Sequence, residues 1–346
     1  KKLNMSPKNL SVKTKIPKFL KEKLKNKRII KIYNKFEKSL DIKESFAVAV
    51  SGGPDSLALA FLAQIYSIKK QLPAKFFIVD HKLRQESTKE AKTVKHILKN
   101  NYILSEILTW KGKKPSNNLQ SKARVKRYDL LSKRCDKFKI KNILLGHHQD
   151  DLIENFFIRM LRGSGLKGLI SLDKKTHNGN KNYFRPLLDQ KKKDLVFISN
   201  KIFEFYVQDP TNYDDKYQRT RVRKLLEELK KDGLDKKKIF QTIKNLKYSN
   251  DIVNFYVNKN LHKNTFFSNK VNKLVLNEKF FLQPYEITFR SLSESIKLIG
   301  ERYYSVRGRK LDKIIKNYEK NLLFRVTLGG CIIEKINQTV IIHKEH

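Results

Sequence analysis

The chain has 346 residues, of which 76 are lysine or arginine and 34 are aspartate or glutamate, so its formal net charge is +42 at pH 7. A chain of this length can bury a sizeable core, so it is not a small domain that needs disulfides or a structural metal for stability. No segment has the uninterrupted apolar length of a membrane span. The charge favours a polyanionic partner, most simply nucleic acid, with lysine enrichment by an AT-rich genome as the competing explanation.

The first 45 residues are rich in lysine and contain no apolar core of signal-peptide length. We interpret residues 1–45 as a basic N-terminal leader that ends in a short helix over Lys25–Leu40. The two cysteines, Cys135 and Cys331, are far apart and form no metal or redox spacing. Their scarcity favours a reducing, cytoplasmic compartment.

Strand and helix patterns alternate from Phe46 to about Lys224. The predicted strands are 46–50, 75–81, 103–109 and 142–148, and the predicted helices are 56–70, 86–100, 119–135 and 150–162. Strict alternation predicts an α/β fold with a doubly wound parallel sheet, whose ligands bind at the carboxyl ends of the strands.

The remainder, residues 225–346, is predicted as a separate C-terminal region. Lysine-rich amphipathic helices over 225–265 precede a mixed segment that extends to about residue 320. The tail alternates as a hairpin would, and Gly329-Gly330 interrupts its first strand. These patterns predict a helical part followed by a small α+β module.

The stretch SGGPDS, residues 51–56, lies between the first strand and the first helix of the alternating region. A helix N-terminus presents free backbone N–H groups, glycines let a phosphate approach closely, and the two serines can add hydroxyl donors. No Gly-Lys-Ser/Thr ends the loop, so it is not a Walker loop. The other interpretation is an ordinary strand-to-helix turn with Ser56 as a cap.

Two further polar groups follow predicted strands. Asp80-His81 comes after the second strand, where dinucleotide folds keep an acid for ribose, although a helix cap explains Asp80 equally well. In GHHQDDLIEN, Asp151 and Glu154 are three residues apart on one side of a helix, after His147 and His148. The acids could serve only the helix dipole, or hold Mg²⁺, or hold the ammonium group of a cationic substrate.

Arginines are scarce in this lysine-rich chain, which makes their positions informative. Six of them fall in three segments, as Arg124 and Arg127, as Arg185, and as Arg219, Arg221 and Arg223. Arginine is the residue suited to bidentate or planar recognition, so these segments predict binding, with solvated helix faces as the alternative.

Six motifs occur in the order and at about the spacing seen in tRNA(Ile)-lysidine synthetases. They are SGGPDS, VDHKLR, ARVKRY, GHHQDD with EN and LRGSG, RPLL, and DPTNYDDKYQRTRVR. The chain resembles this family from Phe46 to Lys224, and TLGGCII near the end resembles its small C-terminal module. The resemblance implies a PP-loop ATP pyrophosphatase domain at 46–224 and a tRNA-binding region at 225–346.

The resemblance also implies a reaction. Such enzymes use ATP and Mg²⁺ to adenylate carbon 2 of the wobble cytidine in an isoleucine tRNA with a CAU anticodon, and L-lysine then displaces AMP. The expected partners are this tRNA and L-lysine, with no membrane. The oligomeric state is open, with a homodimer as one option, and the metal ligands are not assigned.

Site residues carry over at matching positions. The ATP loop corresponds to Ser51, Gly52, Gly53, Pro54, Asp55 and Ser56, and Asp80 is assigned to the nucleotide. The catalytic residues are Asp55, together with Asp151 and Glu154 near the lysine, and Arg127 in the same pocket, for which Arg124 is the alternative equivalent. Thr220 departs from the family pattern, which has Asn there, and the length suggests a short form without a second C-terminal module.

Three other functions share parts of this pattern. A tRNA thiolase would share the loop and the RNA, but such enzymes rely on cysteines, and the chain has two distant ones. An amide-forming synthetase of the GMP or NAD type does not explain the charge. A basic RNA-binding protein with a vestigial loop would not consume ATP.

Overall fold

The chain folds into two compact units. The structure, a computed structural model, describes residues 18–112, 119–208, 214–268, 273–301, 306 and 308–345. The first unit contains the chain up to Ser164 and Ser171–Lys236, and the second contains Gly165–Ile170 and the chain from Lys237 onward. The second unit therefore takes a short piece from the middle of the chain.

The first unit is built on a six-stranded sheet in the order β3-β2-β1-β4-β6-β5. Its strands are β1 (Phe46–Val50), β2 (Ala74–Asp80), β3 (Ser105–Thr109), β4 (Asn142–Leu144), β5 (Lys175–Asn178) and β6 (Lys181–Phe184). The first five in spatial order are parallel, while β5 pairs antiparallel with β6 at the edge. The strand order reverses between β1 and β4, where such sheets bind ligands.

Helices cover both faces of this sheet. They are α1 (Lys18–Leu24), α2 (Lys27–Lys38), α3 (Pro54–Lys70), α4 (Ser87–Asn100), α5 (Leu119–Lys137), α6 (Gln149–Met160), α8 (Lys192–Phe203) and α9 (Gln218–Lys231). Phe46, Val48 and Val50 of β1 join the core that contains α3, while Ala47 joins the core that contains Leu131 of α5. This alternation confirms the predicted doubly wound α/β fold.

The predicted leader is part of this unit. Asn26 caps α2, whose buried residues Ile29, Ile32 and Phe36 lie in the same hydrophobic core as α3. Because α2 contributes an apolar face to that core, residues 45 and 46 do not separate two domains. The first unit therefore includes α2 instead of starting at the predicted boundary, and residues 1–17 lie outside the described residues.

Two parts of the predicted sheet need correction. The strand predicted over 142–148 ends at Leu144, because Gly146 packs against the backbone of Ser56 and His148 begins α6. The hairpin of β5 and β6 was not predicted. It places the side chain of Lys181, paired with Asp136 at 2.6 Å, in a buried position of β6, next to the edge strand β5.

The second unit contains a five-stranded antiparallel sheet in the order β7-β8-β11-β10-β9. Its elements are α7 (Leu166–Leu169), α10 (Lys236–Asn264), β7 (Thr265–Ser268), β8 (Lys273–Leu276), α11 (Glu278–Phe281), α12 (Tyr285–Ile299), α13 (Gly308–Glu319), β9 (Arg325–Leu328), β10 (Cys331–Ile336) and β11 (Thr339–Lys344). Its core combines the inner face of the sheet with α12 and α13. The helical and α+β character predicted for the C-terminal region is confirmed.

The tail differs from the predicted hairpin. Gly329 and Gly330 have φ values of +68° and +79° and form the turn between β9 and β10, rather than interrupting one strand. Two successive residues with positive φ are the requirement of a tight two-residue turn, which glycine meets without strain. The boundary between the units falls after Lys236, later than the predicted residue 224.

Candidate active site

The loop after β1 has a backbone that only glycine suits at Gly52. Its φ is +86°, and a Cβ there would lie 2.6 Å from Val94 Cγ2 and 2.9 Å from Val207 Cγ2. The carbonyl oxygen of Gly52 accepts a hydrogen bond from the Val207 N–H at 2.9 Å. The loop is therefore held between α4 and the segment after α8.

The loop leads directly into α3, whose first turn is suited to an anion. Gly53 is the N-cap and offers no side chain, and Pro54 occupies the first helical position. Ser56 Oγ accepts from the Ser51 N–H and Ser51 Oγ, both at 3.1 Å, and donates to the Gly53 carbonyl at 2.9 Å. The serines thus brace the loop, and no side chain caps the helix N-terminus.

Asp55 lies in this first turn, and one of its oxygens is buried without a partner. Among the described residues, none hydrogen-bonds Asp55 Oδ1. Burial raises the pKa of Asp55, and the nearby carboxylate of Asp151 adds to the rise, against the attraction of His148. A buried oxygen without a partner is costly unless a ligand or cation satisfies it.

His148 connects Asp55 to the start of α6. Its Nε2 lies 3.6 Å from Asp55 Oδ2 and 3.5 Å from Asp151 Oδ2. His148 Nδ1 accepts from the Asp150 N–H, and Asp151 Oδ2 accepts from the His148 N–H at 3.0 Å, which completes a capping box. In the neutral ring the proton then resides on Nε2, between the two carboxylates.

The predicted acid pair is buried and already engaged. Glu154 receives a two-bond contact from Arg223, with Nε–Oε1 at 2.6 Å and Nη2–Oε2 at 3.3 Å, and Arg219 Nε lies 3.1 Å from Glu154 Oε2. Arg219 reaches Asp151 Oδ1 only at 3.9 Å. Glu154 is therefore firmly paired, while Asp151 is the more accessible acid of the two.

The environment keeps Asp151 ionised. Burial alone would raise its pKa, but His148, His147, Arg219 and the His148 backbone N–H together hold the pKa of Asp151 below its ordinary value. An ionised acid with a lowered pKa binds a cation well but is a weak base, so it does not readily take a proton from that cation.

The neighbouring histidine is neutral. Burial lowers the pKa of His147 to about 3, and the positive charges of Arg185, Arg124 and Arg219 add to this against the attraction of Asp151. Arg124, Arg185 and Arg219 are therefore close enough for their charges to act on His147. Arg185 itself donates to the Asp173 carbonyl at 2.9 Å and to Thr176 Oγ1 at 3.0 Å.

Arg127 lies elsewhere, against the end of β2. Its Nε donates to His81 Nε2 at 3.2 Å, whereas Arg124 donates to Tyr128 Oη at 3.2 Å. Of the two arginines considered for the acid pocket, Arg124 is the one whose charge acts on His147. The assignment of Arg127 to that pocket remains a prediction.

Asp80 makes the contacts of a capping residue. It is 2% exposed, and its carboxylate accepts from the Lys82 N–H at 2.9 Å, Ser87 Oγ at 2.9 Å and Thr88 Oγ1 at 2.7 Å. Although burial would raise the pKa of Asp80, these hydrogen bonds hold it below its ordinary value. The carboxylate orders the turn into α4, and its role toward a nucleotide remains a prediction.

Sequence reasoning named Arg219 and Arg223 only as binding arginines and did not foresee their acidic partners. They lie 65 and 69 residues beyond Glu154 and meet it only because α6 packs against α9. Lys236, which contacts Asp150 at 3.2 Å, was missed as well. The one available signal was the spacing of Arg219 and Arg223, which puts both on one side of a helix. Residues 209–213 of the same motif lie outside the described residues.

Within the described part of the chain, no group of three or more His, Cys, Asp or Glu side chains is arranged to hold a metal ion. Both cysteines are buried free thiols. A search of the described helices for one long and apolar enough to cross a membrane finds none.

The family model that describes the PP-loop domain matches residues 21–229. The tRNA(Ile)-lysidine synthase of Orientia tsutsugamushi is 35% identical over 314 residues, which are 86% of this chain and 69% of the relative. That of Rickettsia akari is 32% identical over 343 residues, 91% of this chain and 74% of the relative.

Among solved structures, the chain is similar to the U34-tRNA thiolase NcsA of Methanococcus maripaludis, which holds a [4Fe-4S] cluster. The TM-score is 0.54 at 19% identity, over 64% of this chain and 78% of that one. At this identity the likeness concerns the fold alone. The match of the family model from residue 21 agrees with the inclusion of α2 in the first unit.

Proposed function

This chain belongs to the tRNA(Ile)-lysidine synthase family of PP-loop enzymes, and from that premise we propose that it attaches L-lysine to carbon 2 of the wobble cytidine of an isoleucine tRNA with a CAU anticodon. ATP supplies the activating group, and the products include AMP and pyrophosphate. The observation that carries the proposal is the meeting of an anion-binding loop and a buried acid pair, with His148 Nε2 within 3.6 Å of both Asp55 and Asp151.

In the first step, the loop at residues 51–56 holds the ATP phosphates at the N-terminus of α3. The C2 carbonyl oxygen of the cytidine attacks the α-phosphorus, and the bond to pyrophosphate breaks. Gly52 permits close approach of the backbone, and Ser51 and Ser56 keep the loop in shape through their shared hydrogen bonds. Donors already in place before the reaction lower the barrier because they need no reorganisation.

In the second step, one amine of lysine attacks carbon 2, and AMP leaves with the former carbonyl oxygen. The other amine remains an ammonium group and binds the acid pair. Asp151 is its principal contact, since Glu154 is bonded to two arginines, whereas the arginine that reaches Asp151 among the described residues, Arg219, lies 3.9 Å away. Arg127 or Arg124 would hold the lysine carboxylate, because a cation is needed there.

The residues present fit a magnesium ion at the phosphate loop. Asp55 Oδ1 is buried, has no hydrogen-bond partner among the described residues, and belongs to the first turn of α3 beside the phosphates. Mg²⁺ is commonly held by one or two carboxylates together with substrate phosphates. When bound it would offset the charge that develops on the phosphates. Asp55 would be its protein ligand.

The thiolase alternative has little support from the cysteines. Burial raises the pKa of Cys135 to about 11, and Cys331 Sγ donates to the Ile296 carbonyl inside the second unit. A catalytic or cluster-binding cysteine acts as its thiolate, which burial of this kind suppresses.

The test is mass spectrometry of nucleosides from an isoleucine tRNA with a CAU anticodon after incubation with the full chain, ATP, Mg²⁺ and lysine. We expect cytidine at the wobble position to gain the mass of lysine less water, with one AMP and one pyrophosphate per product. Asp55→Asn serves as the inactive control. Release of ADP, or ATP consumption that does not depend on lysine and tRNA, would contradict the proposal.

A further inference from the structure

Two aromatic rings meet at the carboxyl end of the sheet, beside the proposed ATP loop. His81 follows β2 and Trp110 follows β3, and the backbone N–H of Trp110 donates to the Asp80 carbonyl at 2.9 Å, which ties the two strand ends together. The ring centroids are 6.3 Å apart with an interplanar angle of 81°, an edge-to-face arrangement. Both side chains are half-buried.

The hydrogen bonding of His81 leaves one donor unused. Arg127 Nε donates to His81 Nε2 at 3.2 Å, so Nε2 is the acceptor and the proton of the neutral ring resides on Nδ1. Burial lowers the pKa of His81 to about 4, and the charge of Arg127 adds to this, so the ring is neutral at pH 7. No described residue accepts a hydrogen bond from the buried Nδ1.

Cations flank the two rings. Lys82 follows His81, Lys111 follows Trp110, and Arg127 contacts His81, and all three are exposed. The site also lies at the edge of the sheet, because β3 is the outermost strand on that side and β1, which carries the ATP loop, is two strands away. Two strand spacings correspond to roughly 10 Å.

We propose that Trp110 and His81 form a platform on which one unpaired nucleobase of the RNA substrate stacks. The inference rests on the proposed function, which supplies a single-stranded anticodon loop as substrate. Aromatic side chains beside cations are the usual means of holding unpaired bases, since each base offers a flat face and brings a phosphate on either side. The His81 Nδ1–H can donate to a ring nitrogen or carbonyl oxygen at the edge of the base.

The charges favour an RNA base over the adenine of ATP. Adenine is neutral, and the ATP phosphates belong at the loop after β1, so Lys82 and Lys111 would have no anion to bind. A base within an RNA strand instead brings phosphates close to both lysines. The platform therefore corresponds to a nucleotide of the anticodon loop.

The chain offers a direct probe, because Trp110 is its only tryptophan. The experiment titrates the full chain with an anticodon stem-loop RNA, without ATP or lysine, while tryptophan emission and its quenching by acrylamide are followed. We expect emission to fall and acrylamide to quench the remainder less, as a stacked base shields the indole. ATP with Mg²⁺ but without RNA is expected to leave both unchanged.

Substitutions then separate stacking from mere proximity. Trp110→Ala should weaken binding of the fluorescently labelled stem-loop roughly ten- to hundredfold, while Trp110→Phe should retain most of the affinity. Leu104→Ala is the matched control, since Leu104 is 79% exposed and precedes the other end of β3. Circular dichroism and thermal midpoints establish that each variant is folded.

Two outcomes would overturn the platform. Wild-type RNA binding measured by anisotropy with no change in tryptophan emission or acrylamide quenching would do so without any variant. Quenching by ATP alone, with none by RNA, would assign the rings to adenine instead. If the same preparation forms lysidine in either case, only this inference fails and the proposed function stands.

Discussion

The two units of the chain bury polar groups of different kinds. Among the described residues, every buried acid lies in the first unit, namely Asp80, Asp151 and Glu154. The described residues of the second unit bury mainly hydroxyls and amides. Their buried cations are Arg290, which donates to Asn250 Oδ1 and Glu286 Oε1 at 2.7 Å each, and Lys335, which donates to Asn321 Oδ1.

The difference indicates that the buried acids of the first unit serve ligand binding, whereas buried polar groups in the second unit serve packing. A buried hydroxyl or amide needs a hydrogen-bond partner, whereas a buried charge also needs a counter-charge or a pKa shift. In the first unit the buried acids lie at the carboxyl edge of the sheet, where the charge of a bound ligand can offset the free energy lost by burying them. In the second unit, α10 and α12 are joined by Asn260, which donates to Ser291 Oγ at 3.1 Å, and by Arg290, which donates to the neutral amide of Asn250.

The comparison is sharpest at two ion pairs in which one partner is buried and the other partly exposed. Arg223→Met removes the 31% exposed partner of the buried Glu154, and Glu286→Met removes the 49% exposed partner of the buried Arg290. We expect Arg223→Met to lower the free energy of unfolding by about 2 kcal/mol, because the buried Glu154 carboxylate then keeps, among the described residues, only its ion pair with Arg219. Glu286→Met should cost about 1 kcal/mol or less, since Glu286 is half exposed and Arg290 keeps its hydrogen bond to Asn250.

Urea unfolding measures both effects. Tryptophan emission follows the first unit, because Trp110 lies there, and far-ultraviolet circular dichroism follows the whole chain. Equal losses for the two variants would break the distinction between the units. Arg223→Lys should recover part of the stability, since it restores the charge without the two-bond contact.

The next largest effect concerns adenylation. Asp55→Asn should slow formation of adenylated tRNA, measured without lysine, by roughly 10²- to 10³-fold, since it removes a charge at the phosphate loop. Asp312→Asn is the control in the second unit, where Asp312 is paired with Lys316 and Tyr285. An equal loss in both variants would show that the effect is not specific to the loop.

The acid pair should affect the lysine step instead. Asp151→Ala should weaken apparent lysine affinity by roughly ten- to a hundredfold while adenylation without lysine changes little. Glu154→Asp should have a smaller effect on lysine affinity, because it keeps the charge. If Asp151→Ala abolished adenylation and left the lysine dependence intact, Asp151 would be a metal ligand and the assigned role would be wrong.

Lowering the pH should reduce the stability of the first unit more than that of the second. The folded pKa values of His147, about 3, and His81, about 4, lie below the unfolded value of 6.5. As pH falls below about 6.5 the unfolded chain therefore binds protons that the folded unit does not, and stability decreases. Asp55 acts in the opposite direction, since its raised pKa lets the folded state take up a proton first.

In the described part of the second unit, His262 is exposed and His343 is half-buried, so this unit offers no fully buried histidine whose protonation would favour unfolding. We expect the thermal midpoint followed by tryptophan emission to fall between pH 7 and pH 5 by more than the midpoint of the second unit. His147→Gln should reduce the difference. A larger acid effect on the second unit would contradict the link between buried histidine and acid sensitivity.

Hydrophobic patterning made much of the first unit predictable. The strand FAVAV matches β1 at both ends, and the loop after it was placed correctly between strand and helix. The pattern failed at β5 and β6, whose segments KTHN and KNYF are short and polar. Lys181 is buried there only because Asp136 and the Ile140 carbonyl receive its ammonium group, and sequence alone does not reveal such a partner.

The candidate site was predictable in its residues and less so in its pairing. Local spacing put Asp151 and Glu154 on one side of α6, and the capping box of His148 is a local contact. The bonds from Arg223 to Glu154 cross 69 residues, and only the packing of α6 on α9 brings them together. Asp80 shows the opposite difficulty, because a single acid after a strand fits a ribose contact and a cap equally well.

The small piece Gly165–Ile170 has a consequence for how the molecule can be divided. Because this piece belongs to the second unit, the chain passes from one unit to the other after Ser164, after Ile170 and after Lys236. A fragment that starts at Lys237 would lack the piece and its ion pair between Lys167 and Glu294, 2.8 Å long. The two units are therefore not exchangeable cassettes: gene fusion at a single junction cannot transplant either one intact.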